Sequence, residues 1–154
     1  MRTITLIIIH CSATPKGMDI GVKEIDCWHR QRKFEQIGYH WVVRLDGTIE
    51  KGRDEYLIGA HVKDHNTHSI GVCYVGGLVN QPGADGKIHL VPADTRTPEQ
   101  KTALRQLVNQ LHLRYPKAII LGHRDLSPDL NGNGLIEPNE WLKACPCFDV
   151  RTEL

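Results

Sequence analysis

No apolar run in this chain is long enough to cross a bilayer, and the longest, around residues 6–9, has the length of a β-strand. Nor does one sign of charge dominate: 19 Lys and Arg face 18 Asp and Glu, which gives a formal net charge of +1. This balance provides no broad basic field, so we expect neither nucleic acid as a partner nor insertion into a membrane. Repeats and linker-like stretches are also missing. The chain of 154 residues therefore predicts one domain spanning residues 1–154.

A disulfide framework is not expected either. The five cysteines are an odd number and are scattered through a sequence without a visible secretion signal. The N-terminal stretch MRTITLIIIHCSAT has too short an apolar segment for a signal peptide and no small-residue cleavage site, so we interpret it as the first strand of the fold. The expected location is the cytoplasm until release, or export by a route that the sequence does not show.

Several segments have the character of buried strands. Residues 3–9 and 69–75 are almost continuously apolar, as in strands that are covered on both faces. The dipeptide Asp46-Gly47 between two short β-rich runs predicts a hairpin. A further short strand is predicted over residues 118–121 and would deliver His123 at its end.

Two helices are predicted between these strands. Residues 22–36 have a partly amphipathic pattern, and a second helix begins at a capping box of Thr97 and Gln100 and runs to about Tyr115. Residues 79–96 show no clear periodicity and are interpreted as a long surface excursion. The alternation of strands and helices predicts an α/β fold, with a single domain built on a central mixed β-sheet flanked by helices.

Three short stretches that lie far apart in the sequence each offer a metal ligand. They are His10 in IIIHCSAT, His123 in LGHRDL and Cys145 in KACPCFD. Each lies just past an apolar run or inside a turn, where a side chain can project from a sheet into a cleft. Two imidazoles and a thiolate give zinc three protein ligands and leave the fourth tetrahedral position open. An open site of this kind indicates hydrolysis.

Six motifs carry a family resemblance: HCSAT at 10–14, GYHWVV at 38–43, DGTIEKGRD at 46–54, SIGVCYVGG at 69–77, GHRD at 122–125 and KACPCFD at 143–149. In this order they closely resemble the zinc-dependent N-acetylmuramoyl-L-alanine amidases of the phage-lysozyme type, whose fold is shared by peptidoglycan-recognition proteins. The resemblance covers residues 3–150 apart from one internal insertion. Several motifs in a fixed order are far more specific than any single one.

The resemblance implies roles for individual residues. It makes His10, His123 and Cys145 the zinc ligands, and Tyr39 and Lys143 the catalytic side chains beside the metal. The implied reaction is hydrolysis of the amide bond between N-acetylmuramic acid and L-alanine in peptidoglycan or its muropeptides. Zinc would lower the pKa of its bound water to about 7 and polarise the scissile carbonyl. Lys143 would bring positive charge to the developing oxyanion, and the Tyr39 hydroxyl would donate a hydrogen bond or relay a proton.

Three neighbouring residues need separate interpretation. Cys147 is an alternative thiol ligand, although Cys145 is preferred because it follows Lys143 by two residues and directly precedes a proline. His61, in GAHVKDHN, follows a Gly-Ala turn near the expected cleft and is a candidate substrate contact. His29 is expected to be a surface or helix-face residue without a role.

The insertion departs from the family and fits an EF-hand calcium loop over residues 129–140, DLNGNGLIEPNE. The candidate calcium ligands in loop order are Asp129, Asn131, Asn133, the carbonyl of Leu135, and Glu140. With one charged residue among the first three ligands, the expected Ca²⁺ affinity is weak, and an Asn/Gly-rich surface turn is the alternative. A helix is expected to start at Glu140. Because the loop joins two zinc-ligand motifs, bound calcium would stabilise the fold and help to preorganise the zinc site.

Two other functions are compatible with the same fold. A non-catalytic peptidoglycan-binding protein would lack the metal thiol, so Cys145 together with Tyr39 and Lys143 argues against it. A regulatory protein that acts on a polymerase has no feature in this sequence to which such an interface can be assigned. We therefore expect a zinc amidase that acts on the cell wall like an endolysin, as a monomer.

Overall fold

The computed structural model describes residues 2–154 and contains two β-sheets and three α-helices. The strands are β1 (Leu6–Cys11), β2 (Thr14–Pro15), β3 (Trp41–Val43), β4 (Ile49–Lys51), β5 (Ser69–Tyr74), β6 (Gly77–Pro82), β7 (Ile88–Pro92) and β8 (Ile119–Gly122). The helices are α1 (Val22–Gln31), α2 (Pro98–Arg114) and the short α3 (Val150–Glu153). Short 3-10 turns cover Asn66–His68, His123–Leu126 and Pro138–Glu140.

The central sheet has five strands in the order β4-β3-β5-β1-β8. Strands β3, β5, β1 and β8 run parallel to their neighbours, and β4 pairs antiparallel with β3 through the predicted hairpin. In the register of the sheet, Ile8 lies beside Gly71 on one side and Leu121 on the other. The predicted α/β class with a mixed central sheet is confirmed.

Two hydrophobic clusters cover the two faces of this sheet. Helix α2 buries a stripe of Leu and Val side chains against a cluster that includes Val43, whereas Ile25 of α1 packs in a second cluster that includes Val42. Successive residues of a strand point to opposite faces, so Val42 and Val43 mark the two faces. The helices therefore lie on opposite sides of the sheet.

Helix α2 begins where the capping box predicts. The Gln100 backbone N–H donates to Thr97 Oγ1 at 3.1 Å, and the Thr97 N–H donates to Gln100 Oε1 at 3.0 Å. The Gln100 side chain is buried, and its amide donates to the Val75 carbonyl at 2.9 Å. This capping residue thereby ties the helix to the end of β5.

Helix α1 is shorter than predicted, since it ends at Gln31 and not near residue 36. Lys33 adopts a left-handed conformation with φ of 73°, which terminates the helix. The chain then turns so that Gly38 passes against Ala60, where a Cβ would overlap the Ala60 carbonyl oxygen. This close approach delivers Tyr39 to the edge of the cleft and is a tertiary constraint that the helical pattern does not contain.

The segment predicted as an irregular surface excursion contains a β-hairpin. Strands β6 and β7 pair antiparallel, and β2 adds to β6 in parallel, which makes a second sheet of three strands. The prediction was wrong here because the hairpin lies at the surface with few buried positions, so its sequence lacks the alternation that identifies a half-buried strand.

The helix expected to begin at Glu140 does not form. Residues Pro138–Glu140 make a single 3-10 turn, and Trp141 is already extended, with ψ of 124°. The Glu140 carboxylate folds back onto the loop, where it accepts hydrogen bonds from backbone N–H groups, and Trp141 packs under Arg124. Across residues 2–154, the helices are all too short or too polar to cross a membrane.

Candidate active site

His10, His123 and Cys145 converge from three distant parts of the sequence. Their ligand atoms all lie within 4.8 Å of one another, and no other trio of His, Cys, Asp or Glu among residues 2–154 comes this close. His10 projects from β1, and His123 follows directly after β8, which runs parallel beside β1. The carboxyl ends of two neighbouring strands therefore supply the two imidazoles.

Cys145 reaches this point on a segment that other residues hold in place. Its carbonyl accepts from the Arg124 N–H at 2.9 Å, and its Sγ accepts from the Cys11 N–H at 3.2 Å. The Cys145 Sγ lies 3.9 Å from Nδ1 of His10. Cys147, by contrast, directs its thiol to the carbonyl of Gly77 at 3.6 Å. The structure thus brings Cys145, and not Cys147, to the two histidines.

Electrostatics keep both imidazoles of the trio neutral. Burial lowers the pKa of His10 well below its usual value, and nearby His61, His123 and Lys143 lower it further. Burial and the charge of Lys143 lower the pKa of His123 to about 4. Metal ligation requires unprotonated imidazoles. Two neutral imidazoles and one thiol are a donor set that fits zinc and leaves one tetrahedral position open.

Tyr39 and Lys143 line the same cleft as the trio. The Tyr39 ring lies 5.1 Å from the His10 ring between centroids. Burial raises the pKa of Tyr39 well above its usual value, so its hydroxyl remains a proton donor at neutral pH. Lys143 is exposed, and its charge lowers the pKa of both His10 and His123. One hydroxyl donor and one cation therefore face the group that could hold a metal.

His61 contacts the His10 ring and also lines the cleft. Its Nδ1 is 2.9 Å from His10 Nε2, and its Nε2 is 3.2 Å from Ser69 Oγ. The Asn66 side chain fixes the backbone here by accepting from the N–H groups of His61 and Val62. Both ring nitrogens of His61 are thus engaged within the protein, and its contact with substrate stays a prediction.

The cleft has a volume of about 620 Å³, and helix α1 forms a wall of it that the sequence interpretation missed. Trp28, His29 and Arg32 line this wall. His29 was expected to be a surface or helix-face residue; it does lie on α1, but the surface alternative was wrong, because the residue is 8% exposed and its Nδ1 accepts from the Gly38 N–H at 2.8 Å. The signal was present, because these residues and Ile25 recur at helical spacing on one face. This wall offers aromatic and cationic surface beside the trio.

The loop of residues 129–140 folds around two of its own carboxylates. The two Asp129 oxygens accept from the N–H groups of Gly132 and Gly134 at 2.8 and 2.7 Å. Glu140 is 4% exposed and accepts from the N–H groups of Leu130, Asn131 and Glu137.

The remaining predicted calcium ligands lie along the same turn. The side-chain oxygen of Asn131 accepts from the Asn133 N–H at 3.0 Å, and that of Asn133 from the Leu135 N–H at 2.9 Å. Gly134 adopts a φ of +82°, as the sixth position of such a loop requires. These oxygens are thus engaged with backbone, and the loop carboxylates do not form a second trio within metal-ligand distance among the residues that the structure covers.

Comparison with known proteins agrees with this geometry. The sequence matches the N-acetylmuramoyl-L-alanine amidase family over residues 1–139. An endolysin of Enterobacteria phage K11 is 41% identical over 143 residues, which are 93% of this chain and 80% of that protein. The family match ends before Lys143 and Cys145, and the structure places both of these residues in the cleft beside His10 and His123.

Solved structures show the same fold. The N-acetylmuramoyl-L-alanine amidase LysC from Clostridium intestinale URNW superposes with a TM-score of 0.68 at 24% identity, covering 96% of this chain and 79% of that one. Drosophila PGRP-LB has a TM-score of 0.64 at 20% identity, covering 95% and 76% of the two chains. The two proteins share the architecture on which the trio is built.

Proposed function

This chain belongs to the N-acetylmuramoyl-L-alanine amidase family and is a peptidoglycan amidase, and from that premise we propose that it works with a zinc ion held by His10, His123 and Cys145. The observation that carries the proposal is the convergence of their ligand atoms within 4.8 Å in the main cleft. When bound, zinc supplies Lewis-acid polarisation of the scissile carbonyl and a lower pKa for the attacking water. The three ligands leave room for this chemistry.

Lys143 and Tyr39 act on the charge that develops during amide hydrolysis. The tetrahedral intermediate carries negative charge on oxygen, and the Lys143 ammonium stabilises it as a compact positive charge. The Tyr39 hydroxyl stays protonated because burial raises its pKa, so it donates a hydrogen bond to the oxyanion or passes a proton to the leaving amine. Their shared position on the cleft wall supports both roles.

His61 orients His10 and also contacts substrate. Histidine ligands of metals usually bond through their second nitrogen to a fixed partner, which sets the tautomer and the ring orientation. The 2.9 Å contact between His10 Nε2 and His61 Nδ1 supports this role. The position of His61 on the wall of the cleft supports the predicted substrate contact.

Digestion of purified peptidoglycan with and without a chelator tests the proposal. The expected products are stem peptides with a free L-alanine amine and glycan strands with free lactyl carboxylates, identified by mass. A chelator should abolish the release, and added Zn²⁺ should restore it. Cleavage only within the glycan or within the peptide would overturn the assigned bond, and chelator-resistant activity would overturn the metal.

We also propose that residues 129–140 bind Ca²⁺ as a structural ion. The position-by-position match to the EF-hand loop supports it, as does the burial of Glu140 against the loop backbone. Calcium would replace the backbone N–H partners seen for the side-chain oxygens of Asp129, Asn131, Asn133 and Glu140, and the Leu135 carbonyl would complete the set of ligands. The ion would join no chemical step.

We propose that residues 1–154 act as one amidase domain into which the 129–140 loop is inserted. All six residues assigned to catalysis come from a single chain and line one cleft, which supports action as a monomer. The endolysin relatives support action on the cell wall after release. We also propose that this action needs no insertion into a membrane, and the lack of a spanning helix among residues 2–154 supports that. Sedimentation at several concentrations tests the monomer.

A further inference from the structure

A second cavity of about 360 Å³ lies on the face of the sheet opposite the catalytic cleft. Its wall residue Trp41 packs against the cluster on the α2 side, whereas Tyr39 packs against the cluster on the α1 side. Arg114 and Tyr115 at the end of α2 complete the wall. We call this cavity the far-face pocket. The amidase chemistry gives it no role.

Three of the seven residues that line the far-face pocket are aromatic. Trp41 and Tyr115 are partly buried, and Tyr56 presents its ring to solvent with 67% exposure. Large exposed aromatic side chains beside a concave surface are a common sign of a binding site, because they bury much area at little entropic cost. The pocket therefore offers ring faces on which a ligand can stack.

Glu55 forms a preorganised polar floor in this pocket. Its two carboxylate oxygens accept from Trp41 Nε1 at 2.9 Å and from the Tyr115 hydroxyl at 2.6 Å. Arg114 lies 3.1 Å from the same carboxylate. Burial and this carboxylate raise the pKa of Tyr115 to about 12, so the hydroxyl remains a donor. The network holds Trp41 and Tyr115 in fixed positions before any ligand arrives.

The charged groups of the far-face pocket are paired with one another. Lys51 pairs with Asp54 at 3.2 Å, and Arg114 pairs with Glu55, so two cations face two carboxylates. This balance provides no field for nucleic acid or another polyanion. Lys51, Asp54 and Arg114 remain partly exposed and can still donate to or accept from hydroxyl and acetamido groups.

We propose that the far-face pocket binds N-acetylated amino sugars of a glycan strand. Sugar rings have an apolar face that stacks on Tyr56 and polar edges that suit the charged groups around it. The inference rests on the proposed function, because the amide that the enzyme cuts hangs from such a strand. A site on the opposite face would hold the enzyme on the insoluble polymer without occupying the cleft.

The test uses two sugar probes that contain no muramoyl–alanine amide. One is glycan strands stripped of their stem peptides, and the other is a β-1,4-linked N-acetylglucosamine tetramer. Both are titrated against the wild-type chain, Tyr56→Ala, Tyr56→Phe and the matched surface control Leu113→Ala, which changes a residue that is 84% exposed. Loss of a stacking aromatic should weaken binding about tenfold in Tyr56→Ala. The other two variants should bind like the wild type.

The outcomes separate this inference from the amidase proposal. All four proteins should turn over a soluble muropeptide equally, because Tyr56 lies outside the catalytic cleft. Equal sugar binding by the wild type and Tyr56→Ala would overturn the inference. Failure of the wild type to bind either probe would also overturn it, and that result is expected if the pocket binds a peptide segment instead. Absence of muropeptide turnover would overturn the proposed function alone, since the sugar titrations do not depend on catalysis.

Discussion

His10 and His61 share a hydrogen bond of 2.9 Å between His10 Nε2 and His61 Nδ1, so His61 fixes the orientation of the His10 ring in the cleft. Ser69 Oγ lies 3.2 Å from the far nitrogen of His61 and extends the chain of contacts into β5. A ring fixed in this way presents its remaining nitrogen in one direction. The geometry of the trio therefore depends on residues that are not themselves in it.

Substitution of His61 by alanine should lower zinc affinity by about 10–100-fold, as loss of a partner behind a ligand typically does. His61→Gln should recover part of the affinity because its amide can reach the same nitrogen. Competition with a chromophoric chelator measures the effect. His89→Ala is the matched control, since that ring is 50% exposed on β7. Unchanged zinc affinity with a raised KM would instead leave His61 as a substrate contact only.

Lys143→Ala and Tyr39→Phe should each lower turnover of muropeptides by about 10²–10³-fold while zinc content is retained, because each removes a group that stabilises the oxyanion. Stem-peptide release and metal analysis are measured on the same samples. Lys101→Ala on an exposed position of α2 and Tyr56→Phe, whose ring is 67% exposed outside the cleft, serve as controls. Turnover near the wild-type rate in both active-site variants would remove the assigned roles.

The two neighbouring thiols give a sharp test of the ligand set. Cys145→Ser should abolish stoichiometric zinc binding, because its Sγ lies 3.9 Å from His10 Nδ1 and serine is a poor zinc ligand. Cys147→Ser should bind zinc normally, since its thiol lies 3.6 Å from the Gly77 carbonyl and does not belong to the trio. Zinc is quantified by elemental analysis after dialysis. The reverse pattern would assign the ligand to Cys147.

Local signals made part of this molecule predictable. The start of α2 follows from Thr97 and Gln100, whose side chains and backbones satisfy one another within four residues. His10 and His123 could be predicted as candidate zinc ligands because each lies at the end of a strand, and Cys145 because it lies in a turn within a short motif. The end of α1 was mispredicted, because Lys33 adopts a left-handed conformation that the helical pattern does not indicate.

The burial of His29 was mispredicted for the same reason. Its partner is the Gly38 N–H, which reaches it only after the chain turns back at Lys33. The surface hairpin of β6 and β7 was missed for a different reason, since exposed strands carry no apolar alternation. Sequence patterns record local bonding and burial, whereas contacts across loops are recorded only in the folded chain.

Calcium should raise the melting temperature of the zinc-loaded protein through the 129–140 loop. At Ca²⁺ concentrations about 100-fold above Kd, binding to the folded state contributes about 2.7 kcal/mol, which corresponds to about 5–10 °C for a chain of this size. Asp129→Asn should abolish the shift, because it removes the charge at the first loop position. Glu35→Gln changes an exposed acidic residue that lies far from the loop in sequence, and it should leave the Ca²⁺-dependent rise in melting temperature unchanged.

The position of the loop extends this prediction to the active site. Trp141, directly after Glu140, lies 3.9 Å beneath the Arg124 guanidinium, and Arg124 is adjacent to His123 and donates its N–H to the Cys145 carbonyl. An ordered loop should therefore tighten zinc binding, so the zinc Kd should fall when Ca²⁺ is present and should not respond to Ca²⁺ in Asp129→Asn. If Ca²⁺ does not change the melting temperature of the wild type, the loop does not bind Ca²⁺ as proposed. If the melting temperature rises but the zinc Kd stays the same, only the connection through Trp141 is contradicted.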